Sequence, residues 1–120
     1  MSPSSKSSLG SHGENQVTYY LEQQGFEIVC QNFRVRNGEV DIIACKKELL
    51  VFVEVKTRTV NHFATSQVIT PLKQKRILTA AKMYLMLKQV VDKICRFDVA
   101  LVQRQTSTIT YIPNAFSETY

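Results

Sequence analysis

Two acidic residues stand where a buried strand normally carries apolar side chains. Asp41 interrupts the apolar residues 40–43, and Glu54 interrupts residues 51–55, which otherwise hold only Val and Phe. Lys56 follows two positions later, so its side chain leaves the strand on the same face as Glu54. Burying a carboxylate costs free energy unless a partner compensates. Because Mg²⁺ is held by one or two carboxylates with phosphate oxygens and water, a divalent cation is a candidate partner.

The turn between the two strands decides whether the acids meet. A two-residue turn places Glu54 opposite Glu39 and diagonal to Asp41, and a four-residue turn places Asp41 directly opposite Glu54. A three-residue turn, barring a bulge, would direct the two acids to opposite faces and remove the site. The alternative interpretation is an ion pair between Glu54 and Lys56 on an edge strand, with Asp41 in solvent.

The periodicity of the first half predicts the elements that position these residues. Residues 14–24 form a helix, because apolar residues recur at helical spacing, an acid opens the first turn and Gly25 supplies a stop. The period then changes to two, and Asn37-Gly38 is a strong hairpin signal. Three strands are predicted at residues 26–36 (bent), 39–45 and 49–56. The last is the most hydrophobic and is predicted at the sheet centre.

The second half adds a helix and two strands. Residues 57–69 have no clear period and form a long connection of the kind that often carries function. Thr70 and Pro71 predict the N-cap and first residue of a helix. The remaining elements are predicted at residues 71–88 (helix), 97–103 and 108–112 (strands). The order α-β-β-β-α-β-β predicts a mixed α/β (α+β) fold with helices covering a mixed sheet.

Length and composition limit the class of protein. A chain of 120 residues suits one domain, predicted at residues 12–117 after a flexible serine-rich segment at 1–11. Fifteen Lys and Arg against ten Asp and Glu give a net charge of +5, which indicates a polyanionic partner. The longest apolar run, residues 49–53, is far below the roughly 20 residues of a membrane span. Three scattered cysteines fit neither a disulfide framework nor a zinc pattern, which predicts a reduced, intracellular protein.

Six basic residues lie near the acids in the sequence and are candidate contacts to nucleic-acid phosphates. They are Arg34, Arg36, Arg58, Lys73, Lys75 and Arg76. Lys73 precedes the apolar stripe of the second helix by one turn and is expected to face the sheet, whereas Lys75 and Arg76 also fit a solvated helix face. The sequence carries no recognition helix, zinc finger or RNA-binding signature that would predict base-specific reading.

Three further acids have more than one interpretation. Glu14 lies in the first turn of the predicted helix, where an acid is favourable on dipole grounds alone. Glu39 either joins the acid site or supports the hairpin turn. We expect Asp98 to pair with a base such as Arg96 or Arg34 rather than to bind a metal.

The most specific pattern is a pair of strings in which the two acids are thirteen positions apart. They are Gly38-Glu39-Val40-Asp41-Ile42-Ile43 and Val51-Phe52-Val53-Glu54-Val55-Lys56-Thr57-Arg58. On these strings the chain resembles the YraN-like family of uncharacterised bacterial proteins, which is similar to the Holliday-junction resolvases within the restriction-endonuclease-like, PD-(D/E)xK nuclease superfamily. The resemblance spans residues 9–116 and includes Gly13-Glu14, Asn32-Phe33-Arg34, Thr70-Pro71, Lys73 and Arg96-Phe97-Asp98-Val99. Val40 stands where the superfamily has a proline.

The resemblance implies a restriction-endonuclease-like fold and a metal-dependent endonuclease for structured or branched DNA, acting as a homodimer; we expect it in the cytoplasm. It implies that Asp41 and Glu54 bind Mg²⁺ or Mn²⁺, with the carbonyl of Val55 and with Glu14 as further ligands. Lys56, as a cation, would orient the attacking water or stabilise charge on phosphorus. Two other hypotheses are a nucleic-acid-binding module with little or no turnover and a structural protein whose acids and lysine form a buried ion network.

Overall fold

A computed structural model describes residues 8–58 and 69–118 as two helices and five strands. The elements are α1 (Ser8–Gln23), β1 (Glu27–Val35), β2 (Gly38–Lys46), β3 (Leu49–Arg58), α2 (Pro71–Leu87), β4 (Ile94–Gln103) and β5 (Thr108–Phe116). This is the predicted α-β-β-β-α-β-β order and the predicted mixed α/β class. The two described helices are too short or too polar to pass through a lipid bilayer, and all three cysteines are free thiols.

The five strands form one mixed sheet in the order β1-β2-β3-β4-β5. Neighbouring strands run antiparallel except β3 and β4, which run parallel because α2 carries the chain back across the sheet. Strand β3 therefore lies at the centre, as its hydrophobicity predicted. A central strand has both faces covered, which explains its nearly continuous apolar sequence.

Each face of the sheet is covered by one helix. Helix α1 covers one face around the buried cluster Val17, Leu21, Ile42, Ala44, Val51, Val53, Ala100 and Val102. Helix α2 covers the other around Val40, Ile43, Leu50, Phe52, Ile77, Ala80, Ala81 and Tyr84. The apolar stripe predicted for α2 consists of Ile77, Ala81, Tyr84 and Leu85; the first three are buried, and Leu85 packs against the cluster.

The start of α1 corrects the sequence prediction. The helix begins at Ser8 rather than at Glu14, so residues 8–11, which belong to the segment predicted to be flexible, are helical. Serine and glycine are poor helix formers, but propensity is a weak guide where a helix is held by tertiary packing. The rest of that predicted segment, residues 1–7, lies outside the described residues. The helix ends as predicted, with Gly25 at a φ of +95°.

Several strand boundaries also differ from the prediction. Strand β1 is continuous but irregular, β3 runs on to Arg58, and β5 reaches Phe116. The predicted connection at 57–69 therefore begins with two strand residues, and its positions 59–68 lie outside the described residues. Sequence periodicity misses such extensions because strand ends are defined by backbone pairing.

The β1–β2 hairpin is held against α2 by a close backbone approach. Val35 pairs with Gly38, so the turn residues are Arg36 and Asn37, and Asn37 has a φ of 64°. A Cβ atom at position 38 would lie 2.8 Å from the amide nitrogen of Ala80 and 2.9 Å from the carbonyl oxygen of Arg76. Gly38 is therefore required by the contact with α2, whereas the left-handed turn position is taken by Asn37.

We expect Gly38→Ala to destabilise the protein by about 1–3 kcal/mol, the usual cost of forcing an extra methyl group into a packed contact. The added carbon meets backbone atoms that cannot rotate away. Urea unfolding measures the change, with Gln105→Ala in the exposed β4–β5 turn as the control. Equal stability of the two variants would contradict the close approach.

Candidate metal centre and nucleic-acid interface

The register of β2 and β3 places the two acids at opposing positions. Cys45 pairs with Leu50 and Ile42 with Val53, which is the register that sets Asp41 opposite Glu54. The turn has two residues, 47 and 48, because β2 runs one residue further than predicted and Lys46 pairs with Leu49. The register that was predicted to bring the acids together is therefore found, with a shorter turn than the one proposed for it.

The ladder between β2 and β3 ends at Ile42 and Val53, immediately before the acids. Beyond that point the Oδ2 atom of Asp41 accepts a hydrogen bond of 2.8 Å from the backbone N–H of Val55. The Asp41 side chain thus takes the place of a strand partner. Since a buried N–H without a partner is costly, this bond fixes one oxygen of the Asp41 carboxylate.

Asp41 also lies at a break in the side-chain alternation of β2. Val40 packs on the α2 face, but Ile42, two residues on, packs on the α1 face. On the neighbouring strand β1, Asn32 has a φ of 54°, and the pairing passes from Gln31 with Ile42 to Phe33 with Val40. Asn tolerates this left-handed conformation better than most residues. This irregularity was not predicted from the sequence.

The Glu54 carboxyl is nearly excluded from water and lies against other charged groups. Its residue is 4% exposed, and its carboxyl shares a hydrogen bond with that of Asp41. Burial raises the pKa of Glu54 to about 7; the Asp41 charge adds to this rise, and the charges of Lys73 and Lys56 oppose it. Without a metal, the pair therefore tends to hold a proton near neutral pH, and a cation would remove the need for it.

Two lysines complete the surroundings of Glu54. The Nζ atom of Lys56 lies 3.7 Å from Oε2 of Glu54, and that of Lys73 lies 3.6 Å from the same oxygen. Lys73 also lies 3.5 Å from Oε2 of Glu39. The Lys73 side chain therefore faces the sheet, as expected. The side chain of Thr70 caps α2 by accepting the backbone N–H of Lys73. We call Glu39, Asp41, Glu54, Lys56 and Lys73 the carboxylate–lysine cluster.

Glu39 was ambiguous in the sequence and belongs to this cluster. Besides its pair with Lys73, its Oε1 atom lies 3.8 Å from Nε of Arg34. The Arg34 side chain is largely exposed, so that pair contributes little to stability. Glu39 therefore links the β1–β2 hairpin to α2.

The helix dipole, which the sequence offered as a simple explanation for Glu14, does not explain this residue in the structure. Because α1 begins at Ser8, Glu14 is the seventh helical residue, and the first turn contains no acid. Glu14 is only 8% exposed, and its neighbour Gly13 packs against the side chain of Thr57 on β3. Within the described residues, no three Asp, Glu, His or Cys side chains converge as a metal site. The structure thus brings Asp41 and Glu54 together, and Glu14 as a third ligand stays a prediction.

Asp98 forms a separate, closed network. It is fully buried and accepts two hydrogen bonds of 2.9 Å from the guanidinium of Arg96. The hydroxyl of Tyr111 and the N–H of Asn114 also donate to it. Burial, together with Asp98, raises the pKa of Tyr111. The expected pairing of Asp98 with Arg96 is confirmed, whereas the two partners from β5 had no signal in the sequence.

The remaining predicted phosphate contacts fall into two places. Arg58 is exposed at the end of β3, just beyond Lys56. Arg36, Lys75 and Arg76 line one pocket of about 380 Å³ between the β1–β2 turn and α2. The six basic residues therefore do not form a single patch around the acids.

Comparison with known proteins identifies the family. Residues 13–102, three quarters of the chain, match the group described as Uncharacterised protein family UPF0102. The chain belongs to the UPF0102 family. The match includes both acids and both lysines around Glu54, and it ends before β5, which supplies Tyr111 and Asn114 to Asp98.

Similar UPF0102 proteins align over nearly their whole length. That of Geobacter metallireducens is 43% identical over 116 residues, covering 94% of this chain and 95% of the relative. The Hahella chejuensis protein is 41% identical over 111 residues, covering 91% and 90%, and the Clostridium perfringens protein is 37% identical over 114 residues, covering 94% and 93%. The resemblance to the YraN-like family, another name for UPF0102, is thereby confirmed.

The raised pKa of Glu54 predicts how the stability of the metal-free protein depends on pH. The pKa is 4.5 for an ordinary glutamate and about 7 here, so between these values the folded state binds more protons than the unfolded state. The free energy of unfolding therefore falls as pH rises through this interval. At ~1.4 kcal/mol per pH unit, the loss reaches about 3 kcal/mol.

Glu54→Gln should remove this dependence, because glutamine has no charge to bury. The variant should gain stability relative to the unmodified protein as pH rises from 4.5 to 7, by about 3 kcal/mol. Urea unfolding in EDTA at a series of pH values measures the difference. Parallel pH profiles for the two proteins would contradict the raised pKa.

Proposed function

We propose that this UPF0102 protein is a metal-dependent endonuclease that hydrolyses phosphodiester bonds of structured or branched DNA, as Holliday-junction resolvases do. The observation that carries the proposal is the contact between the Asp41 and Glu54 carboxyl groups where β2 and β3 part, with two lysines beside them. Two carboxyl groups in a poorly solvated place need a proton or a cation between them.

The donor set fits a hard divalent cation. Asp41 and Glu54 would hold Mg²⁺ or Mn²⁺, with the carbonyl of Val55 and the carboxyl of Glu14 as further ligands, because such ions prefer oxygen. The bound ion would polarise a phosphoryl oxygen and acidify a water molecule. Its affinity should rise with pH below about 7, since it must displace the proton held by Glu54.

The protein's own groups would orient the acids and balance charge. The Val55 N–H donates to one oxygen of Asp41. This bond fixes the orientation of the whole carboxylate, including its other oxygen. Lys56 and Lys73 lie within 3.7 Å of Glu54, so a phosphate bound at the carboxyl pair would lie close to both ammonium groups. Preorganised cations at that place stabilise the negative charge that develops during phosphoryl transfer.

The substrate class follows from charge and from the absence of base-reading motifs in the sequence. A net charge of +5 favours a polyanion, and contacts to phosphates give affinity without sequence preference. Recognition of DNA shape would then provide selectivity. Action in the cytoplasm as a homodimer, which would present two such sites to a branched substrate, is part of the same proposal.

One observation favours a second candidate, a nucleic-acid-binding module without turnover. Lys56 and Lys73 already pair with Glu54, and Lys73 also pairs with Glu39. The charges of the carboxylate–lysine cluster are thus partly balanced in the absence of a metal. Such a cluster can persist as a structural ion network beside a phosphate-binding surface.

A cleavage panel distinguishes the two functions. Labelled four-way junction, flap, single strand, linear duplex and RNA are each incubated with Mg²⁺, with Mn²⁺ or with EDTA. The endonuclease predicts cutting that requires metal and is strongest on a branched DNA. Binding that weakens with salt, with no cutting under any metal condition, would support the binding module instead.

A further inference from the structure

A basic pocket separate from the carboxyl pair lies between the β1–β2 turn and the first turns of α2. Its volume is about 380 Å³, and it is lined by Arg36, Asn37, Leu72, Lys75, Arg76 and Thr79. Three of the six residues are cations and none is an acid. We call this the basic pocket.

The cations of the basic pocket are not engaged by other groups of the described chain. Within residues 8–58 and 69–118, the side chains of Arg36, Lys75 and Arg76 make neither an ion pair nor a hydrogen bond. They differ in this respect from Lys56 and Lys73, whose ammonium groups pair with carboxylates. Three like charges around one pocket repel each other, and a bound anion would relieve that repulsion.

A larger cavity on the opposite face lacks this property. It measures about 440 Å³ and is lined by the rings of Tyr20, Phe26 and Tyr111. Most of its polar side chains are engaged: Lys46 donates to the carbonyl of Gln24, and Arg96 and Tyr111 bond to Asp98, which leaves Lys47 as one cation against three in the basic pocket. The basic pocket is therefore the better candidate for an anion.

The position of two of the pocket's cations on the helix adds to the repulsion. Lys75 and Arg76 lie, with the paired Lys73, within the first six residues of α2, whose first turn has no acid and whose last turn has no base. The partial positive charge of a helix N-terminus makes this the less stable arrangement. The arrangement is favourable once an anion binds beside these side chains.

The hairpin contact sets the distance from the basic pocket to the acids. The approach of Gly38 to α2 places Arg36 in the same pocket as Arg76, while Lys73, one turn before Arg76, reaches Glu54. Asn37 is four residues from Asp41 along β2, roughly 13 Å at ~3.3 Å per residue. That length corresponds to about four base-pair steps of ~3.4 Å.

We propose that the basic pocket binds a backbone phosphate of the nucleic acid a few nucleotides away from the phosphate held at the carboxyl pair. The inference rests on the proposed function and adds a second anchor to it. Two bound phosphates would fix both the position and the direction of the nucleic-acid strand relative to the two acids. A substrate that ends before the basic pocket would lose this anchor.

Equilibrium binding in EDTA tests the basic pocket without cleavage. Labelled four-way junction and linear duplex are titrated with the unmodified protein, Arg36→Gln and Arg76→Gln at several salt concentrations. Lys88→Gln is the matched control, because it removes one exposed charge at the other end of α2. Each pocket variant should bind roughly tenfold more weakly, and its slope of log affinity against log salt should be smaller by about 1.

The outcomes distinguish a failure of the basic-pocket proposal from a failure of the proposed function. If the unmodified protein binds DNA and all three variants behave alike, the basic pocket is not a phosphate site, whereas the cleavage panel still decides the endonuclease. If the unmodified protein neither binds nor cuts any nucleic acid, both proposals fail. A reduced slope in both pocket variants and an unchanged slope in Lys88→Gln is the supporting result.

Discussion

Asp41→Asn is expected to lower metal-dependent DNA cleavage by at least about a thousand-fold while leaving the fold intact. A catalytic metal ion contributes several kcal/mol to the transition state, and ~1.4 kcal/mol corresponds to a factor of ten in rate. Asparagine removes the charge that would hold the ion. It keeps the size of the side chain and an oxygen that can accept the Val55 N–H, which Asp41 now accepts.

The measurement is the initial cleavage rate on the best substrate of the panel, with every variant purified identically. Glu54→Gln should lose activity to a similar degree. Glu48→Gln, which neutralises an exposed acid in the β2–β3 turn, is the matched control and should cut normally. If Asp41→Asn cut as fast as this control, the carboxyl pair would not be the metal centre.

Asp98→Ala is expected to destabilise the protein by about 3–5 kcal/mol, the usual result when one partner of a buried ion pair is removed. Asp98 accepts bonds from Arg96, Tyr111 and Asn114 and has no exposure to solvent. The substitution leaves a guanidinium, a hydroxyl and a backbone N–H without their acceptor. A loss of this size is a large fraction of the stability of a small domain.

Urea unfolding measures the effect, and Tyr111→Phe is the graded comparison. Phenylalanine removes one donor from Asp98 and keeps the aromatic packing, so it should cost about 1–3 kcal/mol. If Asp98→Ala lowered the free energy of unfolding by less than about 1 kcal/mol, the network would contribute little to stability. Asp41→Asn should be near neutral in the same experiment, which separates the structural acid from the proposed metal ligand.

Asp41 and Asp98 show how far the sequence could distinguish two acids in apolar strands. Both are flanked by apolar residues, but Asp98 has Arg96 two positions earlier on the same face, and this pairing was predicted correctly. Tyr111 and Asn114 reach Asp98 from β5, across a pairing whose register shifts between Phe97 and Val99. No local pattern reports such a shift.

The meeting of Asp41 with Glu54 was predictable because strand periodicity allows only a few registers. The detailed geometry around Asp41 was not. The alternation that the prediction assumed for β2 is broken at Asp41, and the left-handed Asn32 lies opposite this break on another strand. Likewise, the start of α1 at Ser8 is not what the helix propensity of a serine-rich segment predicts. Around Asp41, contacts between strands account for what the sequence left undetermined.

The parallel pairing of β3 with β4 implies an order of assembly during folding. The β2–β3 hairpin joins residues close in the chain, but Leu49 must meet Ile94 across the crossover that contains α2. Closing a longer loop costs more entropy, and distant pairings slow folding. We therefore expect the hairpin to bring Asp41 and Glu54 together before the crossover delivers Lys73. With that order during synthesis, a cation in solution would have access to the two acids before the lysine arrives.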